Sequence, residues 1–243
     1  MAFQVIYYVS IACPTVERSL EMIEKYIEAG CNSFQIDMPS HDPYGETDFV
    51  KKCMADALNA HGDYQFYMDA FRALRRKHPD LQISIVVYKD VMDRIGIEAF
   101  TDFCLEIGMY SVRLAGNDER EAYTQYMRSH GLYTIEGVGY YMPEEHIRAI
   151  LGRNNIVTLR TKRKTEAPNR KYETWEQRIG YLRSRGVQSP IFAIADMKGA
   201  QDILRAKEGG ANGVIVGNVL MQLWNDPEAF DQKLKEIQGC VEK

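Results

Sequence analysis

Short runs rich in β-branched and aromatic residues alternate along the chain with longer stretches whose apolar positions recur at helical spacing. Val5 to Ser10 is such a run. Behind it, Val16 to Ala29 puts Leu20, Ile23 and Ile27 on one helical face, with Gly30 as a stop signal. The same pairing predicts further strands at Ser33 to Met38, Gln82 to Tyr88, Tyr110 to Leu114, Tyr133 to Val138, Ile156 to Thr161, Pro190 to Ile194 and Gly213 to Val216. Helices are expected over Phe49 to Ala60, Phe66 to His78, Glu98 to Ile107, Glu119 to Ser129, Pro143 to Leu151, Thr174 to Arg185 and Gly199 to Glu208. Val219 to Trp224 opens the last helical region. Pro143 suits a first helical turn, where its missing N–H is not needed.

Eight strands alternating with helices demand parallel pairing through right-handed crossovers. Ile83-Ser84-Ile85-Val86-Val87 is nearly all apolar, as a strand buried on both faces should be. A doubly wound open sheet is the competing architecture. The even count, with no GxGxxG turn after the first strand, favours closure into a (β/α)8 TIM barrel. A chain of 243 residues is the usual size for such a barrel, so one domain over 1–243 is expected.

The net charge of −4 gives no general attraction to nucleic acid or to anionic membrane. No apolar run approaches the roughly 18 residues needed to span a bilayer. Met1-Ala2-Phe3-Gln4 lacks the succession of a signal peptide, so a cytoplasmic address is expected. Cys13, Cys31, Cys53, Cys104 and Cys240 are odd in number and far apart, which points to reduced thiols. No histidine or acid shows metal-ligand spacing, and neither metal nor organic cofactor is expected.

Several segments together resemble the tryptophan synthase alpha chain family. Phe3 to Pro14 followed by Thr15 to Gly30 is similar to its opening strand, turn and first helix, with Ala12-Cys13-Pro14 in place of Gly-Asp-Pro. Phe34-Gln35-Ile36-Asp37-Met38-Pro39-Ser40-His41-Asp42-Pro43 resembles its second-strand motif LELGxPFSDPxADGP. Ile85 to Lys89 with Ile95 to Phe100 resembles its third strand and following helix, and Gly210 to Asn218 its closing GADGVIVGS. The likeness runs in order over nearly the whole chain. It implies a barrel lyase that cleaves indole-3-glycerol phosphate without a cofactor, through a strand-2 glutamate and a loop-2 aspartate. Those positions match Gln35 and Glu46. Glutamine cannot exchange a proton at neutral pH, but Asp37 stands two residues on, on the same side of the strand. Gly116-Asn117-Asp118 replaces the family's Asp-Leu-Pro near its beta-chain contact, which weighs against a beta-chain partner.

Asp37 and Glu46 are therefore the candidate acid–base pair, with a salt-bridged Asp37, held by Lys89 or Arg113, as the structural alternative. Gln35 and Tyr88 would orient a substrate. Lys89 and Lys162 are candidate substrate ligands or Schiff-base lysines, which would need desolvation or a neighbouring cation. Arg113 would pair with an acid or hold a carboxylate. His41 reads as a surface histidine. Arg160, Lys162, Arg163, Lys164, Arg170 and Lys171 form a basic stretch that could receive an anionic substrate, or simply be a solvated loop. Phosphate would sit on Gly217 and Asn218, a helix start, with Lys198, while Asp196 would repel it unless it caps a helix. The leading expectation is a lyase acting by acid–base chemistry on a small anionic, phosphorylated substrate. A sugar-phosphate isomerase or epimerase, a Schiff-base aldolase through Lys162 and a non-catalytic binding homologue remain alternatives. A homo-oligomer is compatible with all of them.

Overall fold

The computed structural model describes residues 2–116, 120–153, 155–162, 166–194 and 197–242. They divide into two compact units, one over Tyr7–Thr134 and one made of residues 2–6 with 135–242. Strand β1 (Gln4–Ser10) contributes to both.

In the first unit β1 is followed by α1 (Val16–Glu28), β2 (Ser33–Asp37), α2 (Asp48–Ala60), α3 (Tyr64–Lys77), β3 (Gln82–Tyr88), α4 (Lys89–Ile95), α5 (Ile97–Glu106), β4 (Ser111–Ala115), α6 (Glu121–Ser129) and β5 (Tyr133–Thr134). The strands lie in the order β5-β4-β3-β2-β1, all parallel. Residues alternate between the two faces of a strand. Tyr7, Phe34 and Ile85 point to one side, where Tyr7 and Phe34 meet Tyr26 of α1 at ring separations of 5.3 and 6.0 Å. Fully burying a side chain of this size stabilises by about 1.5–3 kcal/mol. The opposite face carries Tyr8, Ser10, Gln35, Asp37, Ser84, Tyr88 and Arg113, with Tyr8 opposite Gln35 and Ser10 opposite Asp37.

Helix α1 starts where Thr15 accepts a hydrogen bond from the Arg18 N–H, and it buries Val16, Ser19, Met22, Ile23 and Tyr26. Leu20 and Ile27, expected at the centre of this face, lie half-buried at its edges. Between β1 and α1 the Ser19 hydroxyl accepts from the Cys13 N–H at 3.0 Å and donates to the Ser10 carbonyl at 2.9 Å. The turn so held brings Cys13 against α2, where it forms a disulfide with Cys53, 40 residues away. The expectation of five reduced thiols is corrected on this pair, while Cys31, Cys104 and Cys240 remain thiols, and all three are buried.

In the second unit β6 (Glu136–Val138), α7 (Glu144–Ile150), β7 (Val157–Arg160), α8 (Trp175–Ser184), β8 (Ile191–Ile194), α9 (Ala200–Glu208), β9 (Gly213–Val216), α10 (Asn218–Met221) and α11 (Pro227–Glu242) follow one another. The strand order is β1-β9-β8-β7-β6, with the Gln4 N–H bonded to the Asn212 carbonyl at 3.1 Å. Thr174 and Gln177 close a capping box at the start of α8, and the Arg178 guanidinium stacks on Trp175 at 4.1 Å.

Two element assignments differ from the sequence reading. The run Tyr133 to Val138 is two short strands with Ile135 between them, because β5 takes its ladder bonds from β4 and β6 takes its own from β7. Helix α4 was not expected at all. It begins at Lys89 and stops at Gly96, whose φ of 88° takes the chain out of helix. Among the described residues no helix is long and apolar enough to cross a membrane.

Gly213 is required by close approach. A Cβ there would stand 2.4 Å from both the Gln4 carbonyl oxygen and the Phe192 ring. Gly213→Ala should therefore lower the unfolding free energy by about 1–3 kcal/mol, the range for overpacking. Urea unfolding compared with the wild type checks this, and an unchanged midpoint would contradict the packing described.

Candidate active site

Asp37 ends β2 with its side chain wholly buried. Its Oδ2 accepts a hydrogen bond from the Tyr8 hydroxyl on β1. Oδ1 makes no hydrogen bond of good geometry among the described residues, although the Ser10 hydroxyl and the Ile11 N–H face the carboxyl and favour its charged form. Desolvation outweighs them. Burial, with the Glu46 charge adding to it, holds the Asp37 carboxyl well above the usual carboxylate range. The salt bridge considered from the sequence does not form with Lys89, whose ammonium pairs with Asp93 at 2.9 Å.

Glu46 approaches from the loop between β2 and α2. That loop is pinned at several points. The Ser40 hydroxyl donates to Asp90 Oδ1 at 2.5 Å, and the His41 N–H donates to Asp90 Oδ2 at 2.9 Å. Gly45, at φ 78°, makes the reversal that the Glu46 N–H closes onto the Pro43 carbonyl at 3.3 Å. Thr47 then caps α2 by accepting from the Val50 N–H at 3.4 Å. Held this way, Glu46 Oε1 accepts from the hydroxyl of Tyr88, the last residue of β3, at 3.1 Å. The Tyr8 and Tyr88 phenols are also close enough to act on each other electrostatically. Both phenols are pushed well above their ordinary value, first by burial and then by the neighbouring acids. Glu46 itself is partly exposed.

Asp37, Glu46 and Tyr88 thus come together as a set, with Tyr8 as the member that sequence reasoning missed. Its signal was present: alternation along β1 puts Tyr8 on the same side as Ser10, beside the strand that carries Asp37. Gln35 lies one pleat back, buried, with its amide 3.5 Å from the Ser84 hydroxyl. Arg113 shares this face opposite Val86 and is partly exposed. Lys89, expected at a strand end, is instead the first residue of α4, and its partner Asp93 lies one turn along the same helix. It lines a pocket of about 180 Å³ with Asp42, Tyr44, Asp90, Asp93, Ala115 and Gly116. Neither Asp37 nor Glu46 lines that pocket.

The remaining candidates belong to the second unit. Arg160 at the end of β7 pairs with Glu166, and its second terminal nitrogen, Nη1, is buried without a hydrogen bond among the described residues. Lys162 is exposed, so it lacks the burial a Schiff-base lysine would use. Lys198 is exposed, with its backbone N–H on Asp202 at 3.1 Å. Gly217, rather than Asn218, is the cap of the short helix α10, and the Asn218 side chain accepts from Gln222 at 3.3 Å. Asp196, Arg163, Lys164, Asn117, Asp118 and the expected helix start at Glu119 lie outside the described residues.

The family model for the tryptophan synthase alpha chain matches residues 2–243. The tryptophan synthase alpha chain of Escherichia fergusonii is 24% identical over 236 residues, covering 94% of this chain and 88% of its own. That of Serratia proteamaculans is 24% identical over 222 residues, covering 89% and 82%. Among solved structures, a tryptophan synthase complex from Pyrococcus furiosus superposes with a TM-score of 0.81 at 17% identity, covering 98% of each chain. The alpha subunit from Legionella pneumophila gives 0.82 at 18%, covering 99% of this chain and 93% of that one. The fold expected from the sequence, a (β/α)8 barrel, is the fold of these neighbours and of this chain. With the family model spanning all but its first residue, the chain belongs to the tryptophan synthase alpha chain family.

Proposed function

We propose that the chain is a carbon–carbon lyase that works by acid–base chemistry on a small anionic, phosphorylated substrate, with indole-3-glycerol phosphate the first compound to test. The observation that carries this reading is the convergence of Asp37 and Glu46 on the Tyr8–Tyr88 pair at the carboxyl ends of β2 and β3. In parallel α/β folds, functional side chains gather at that end of the strands.

Cleaving a carbon–carbon bond beside a hydroxyl-bearing carbon needs two proton transfers. A base takes the hydroxyl proton as that carbon becomes a carbonyl, and an acid protonates the departing carbon. Asp37, kept neutral by burial, suits the donor role. Glu46, partly exposed, suits the acceptor role. Gln35, Tyr88, Lys89 and Arg113 would orient the substrate. The proposal also takes Gly217 and Asn218, on the strength of the family resemblance, and Arg160, Lys162 and Lys198, on the strength of their charge, as candidate ligands for anionic groups. No beta-chain partner is included, because Asn117 and Asp118, at the position of the family's contact, are outside the described residues.

Two outcomes are expected. Indole should be released from indole-3-glycerol phosphate, and Asp37→Asn or Glu46→Gln should each lower kcat/KM by about 10²–10⁴-fold, the usual worth of a positioned acid or base. Wild-type protein that releases no indole even at high concentration would remove this substrate.

The second outcome concerns stability. Because burial raises the Asp37 carboxyl above its unfolded value, the folded state holds that proton more tightly. This contribution is complete below about pH 4, the ordinary Asp range, and is lost as pH climbs toward the raised folded value. Asp37→Asn cannot ionise, so its stability relative to wild type should rise over that interval, by at most about 1.4 kcal/mol per pH unit. Urea unfolding of both proteins at about pH 4, 6 and 8 reads the trend. Parallel pH dependences would show that Asp37 ionises as it does in an unfolded chain.

A further inference from the structure

We propose that Arg160, supported by Arg178, binds the dianionic phosphate of a small ligand, and that Glu166 is an internal counter-ion which this phosphate displaces. The proposal deepens the reading of Arg160 as a ligand for anionic groups and rests on it. Arg178 and Glu166 are new to the site, and all three residues belong to the second unit.

Arg178, in the first turn of α8, is 3% exposed. An arginine so deeply buried is ordinarily paired with an acid. Here its Nε donates to the Thr174 carbonyl at 3.4 Å and its Nη1 to the Arg160 carbonyl at 2.8 Å. Its flat face lies over the rings of Trp175 and Tyr140, at 4.1 and 5.2 Å. None of these partners carries a negative charge. Burial accordingly works against the charge of Arg178. The guanidinium is held beside the carboxyl end of β7, the end of a parallel strand at which ligands gather.

Arg160 is the last residue of that strand. Its Nη2 donates to Glu166 Oε1 at 2.5 Å, while Nη1 is buried without a hydrogen bond among the described residues. A guanidinium fork can hold two oxygens of one anion in parallel, and here a single prong is bonded to the carboxylate. Two buried or half-buried cations are thus set against a carboxylate that is bonded to Arg160 and not to Arg178. With the Glu166 side chain turned out, they would present two positive charges. A phosphate monoester brings nearly two negative ones, which matches them better than one carboxylate does.

The backbone that carries Glu166 is braced, so the exchange needs only its side chain to turn. The Ala167 carbonyl accepts from the Tyr141 hydroxyl at 3.0 Å, and buried Asn169 bonds to both the hydroxyl and the carbonyl of Tyr140 at 3.1 Å. Glu166 is half-buried and its neighbours Ala167 and Pro168 are exposed, which gives the displaced carboxylate a short way to water. The exchange breaks the Glu166 bond to Nη2 and forms bonds from Nη1 and Nη2 to two phosphate oxygens. No proton moves.

Binding of inorganic phosphate to the full chain at pH 8, followed by titration calorimetry at constant ionic strength, tests this without any substrate. Glu166→Gln keeps the side-chain shape but removes the competing charge, and should bind phosphate at least about tenfold more tightly than wild type. Arg160→Gln and Arg178→Gln should each weaken binding by roughly ten- to a hundredfold, the worth of a charge-assisted hydrogen bond. Lys171→Gln removes a positive charge from the same loop and should stay within about twofold. Arg178 also satisfies two carbonyls, so Arg160→Gln, which leaves those bonds in place, carries the test should the Arg178 variant fold poorly. No gain in Glu166→Gln, or wild-type affinity in Arg160→Gln, would overturn the site. So would phosphate binding in neither wild type nor Glu166→Gln, or a loss in Lys171→Gln as large as in the arginine variants. A chain that shows the expected pattern but releases no indole would lose the proposed reaction and keep the site. One that releases indole while Arg160→Gln binds phosphate as wild type does would keep the reaction and lose the site.

Discussion

A carboxyl group taken fully out of water, with one oxygen lacking a well-formed hydrogen bond, is tolerable only while it carries no charge. An isolated ionised carboxylate in such surroundings would cost far more than any single contact returns, and the group keeps its proton instead. Asp37 is in that position. Its neutrality sets the character of the groups around it. The residue against it is a phenol, which can satisfy a neutral acid without bringing a charge inward. The charge that the set does carry is placed on Glu46, where partial exposure leaves it hydrated. The Tyr8 and Tyr88 rings stand between the two acids, one against Asp37 and the other against Glu46.

The rest of the first unit serves that separation. Parallel registry of β1, β2 and β3 brings Tyr8, Asp37 and Tyr88 to one face, while the opposite face supplies Tyr7 and Phe34 to α1. A strand with apolar residues on one side and hydroxyls and a carboxyl on the other cannot slip by one residue without exchanging the two environments. Registry and site are thus enforced by the same alternation. The loop that delivers Glu46 is held at its start by Asp90 and at its end by the Thr47 cap. Glu46 is therefore presented by a braced loop, as a group with a positional role should be.

Much of this was legible beforehand because it depends on local periodicity. The apolar runs and helical stripes marked most of the strands and helices to within a residue or two. The spacing of Gln35 and Asp37 put both on one face. What depends on contacts distant in sequence was hidden. A tyrosine in the middle of β1 reads as core, and only the registry with β2 shows that its hydroxyl meets Asp37. Nothing in the spacing of Cys13 and Cys53 marks them as neighbours, since the Ser19-braced turn is what brings them together. Lys89 looked like the end of a strand because it follows an unbroken β-prone run. The short helix it opens is stabilised by its own pairing with Asp93, a feature of the helical conformation that the strand reading excluded.

The exchange of residues within the second-strand motif follows from the same electrostatics. The family resemblance implies an acid at position 35 and a glycine at position 37, whereas this chain has Gln35 and Asp37. Two residues along a parallel strand is a displacement of about 6.6 Å toward its carboxyl end, the end from which the loop bearing Glu46 departs. A second carboxylate at position 35 would share the buried face with Asp37, and like charges so close in a poorly hydrated setting cannot both ionise. Glutamine avoids that conflict. It is buried with its amide close to the Ser84 hydroxyl, a neutral polar pair in a neutral stretch of sheet. Gln35 and Asp37 are in this sense one change: once the acid sits at the strand end, the position behind it has to be uncharged.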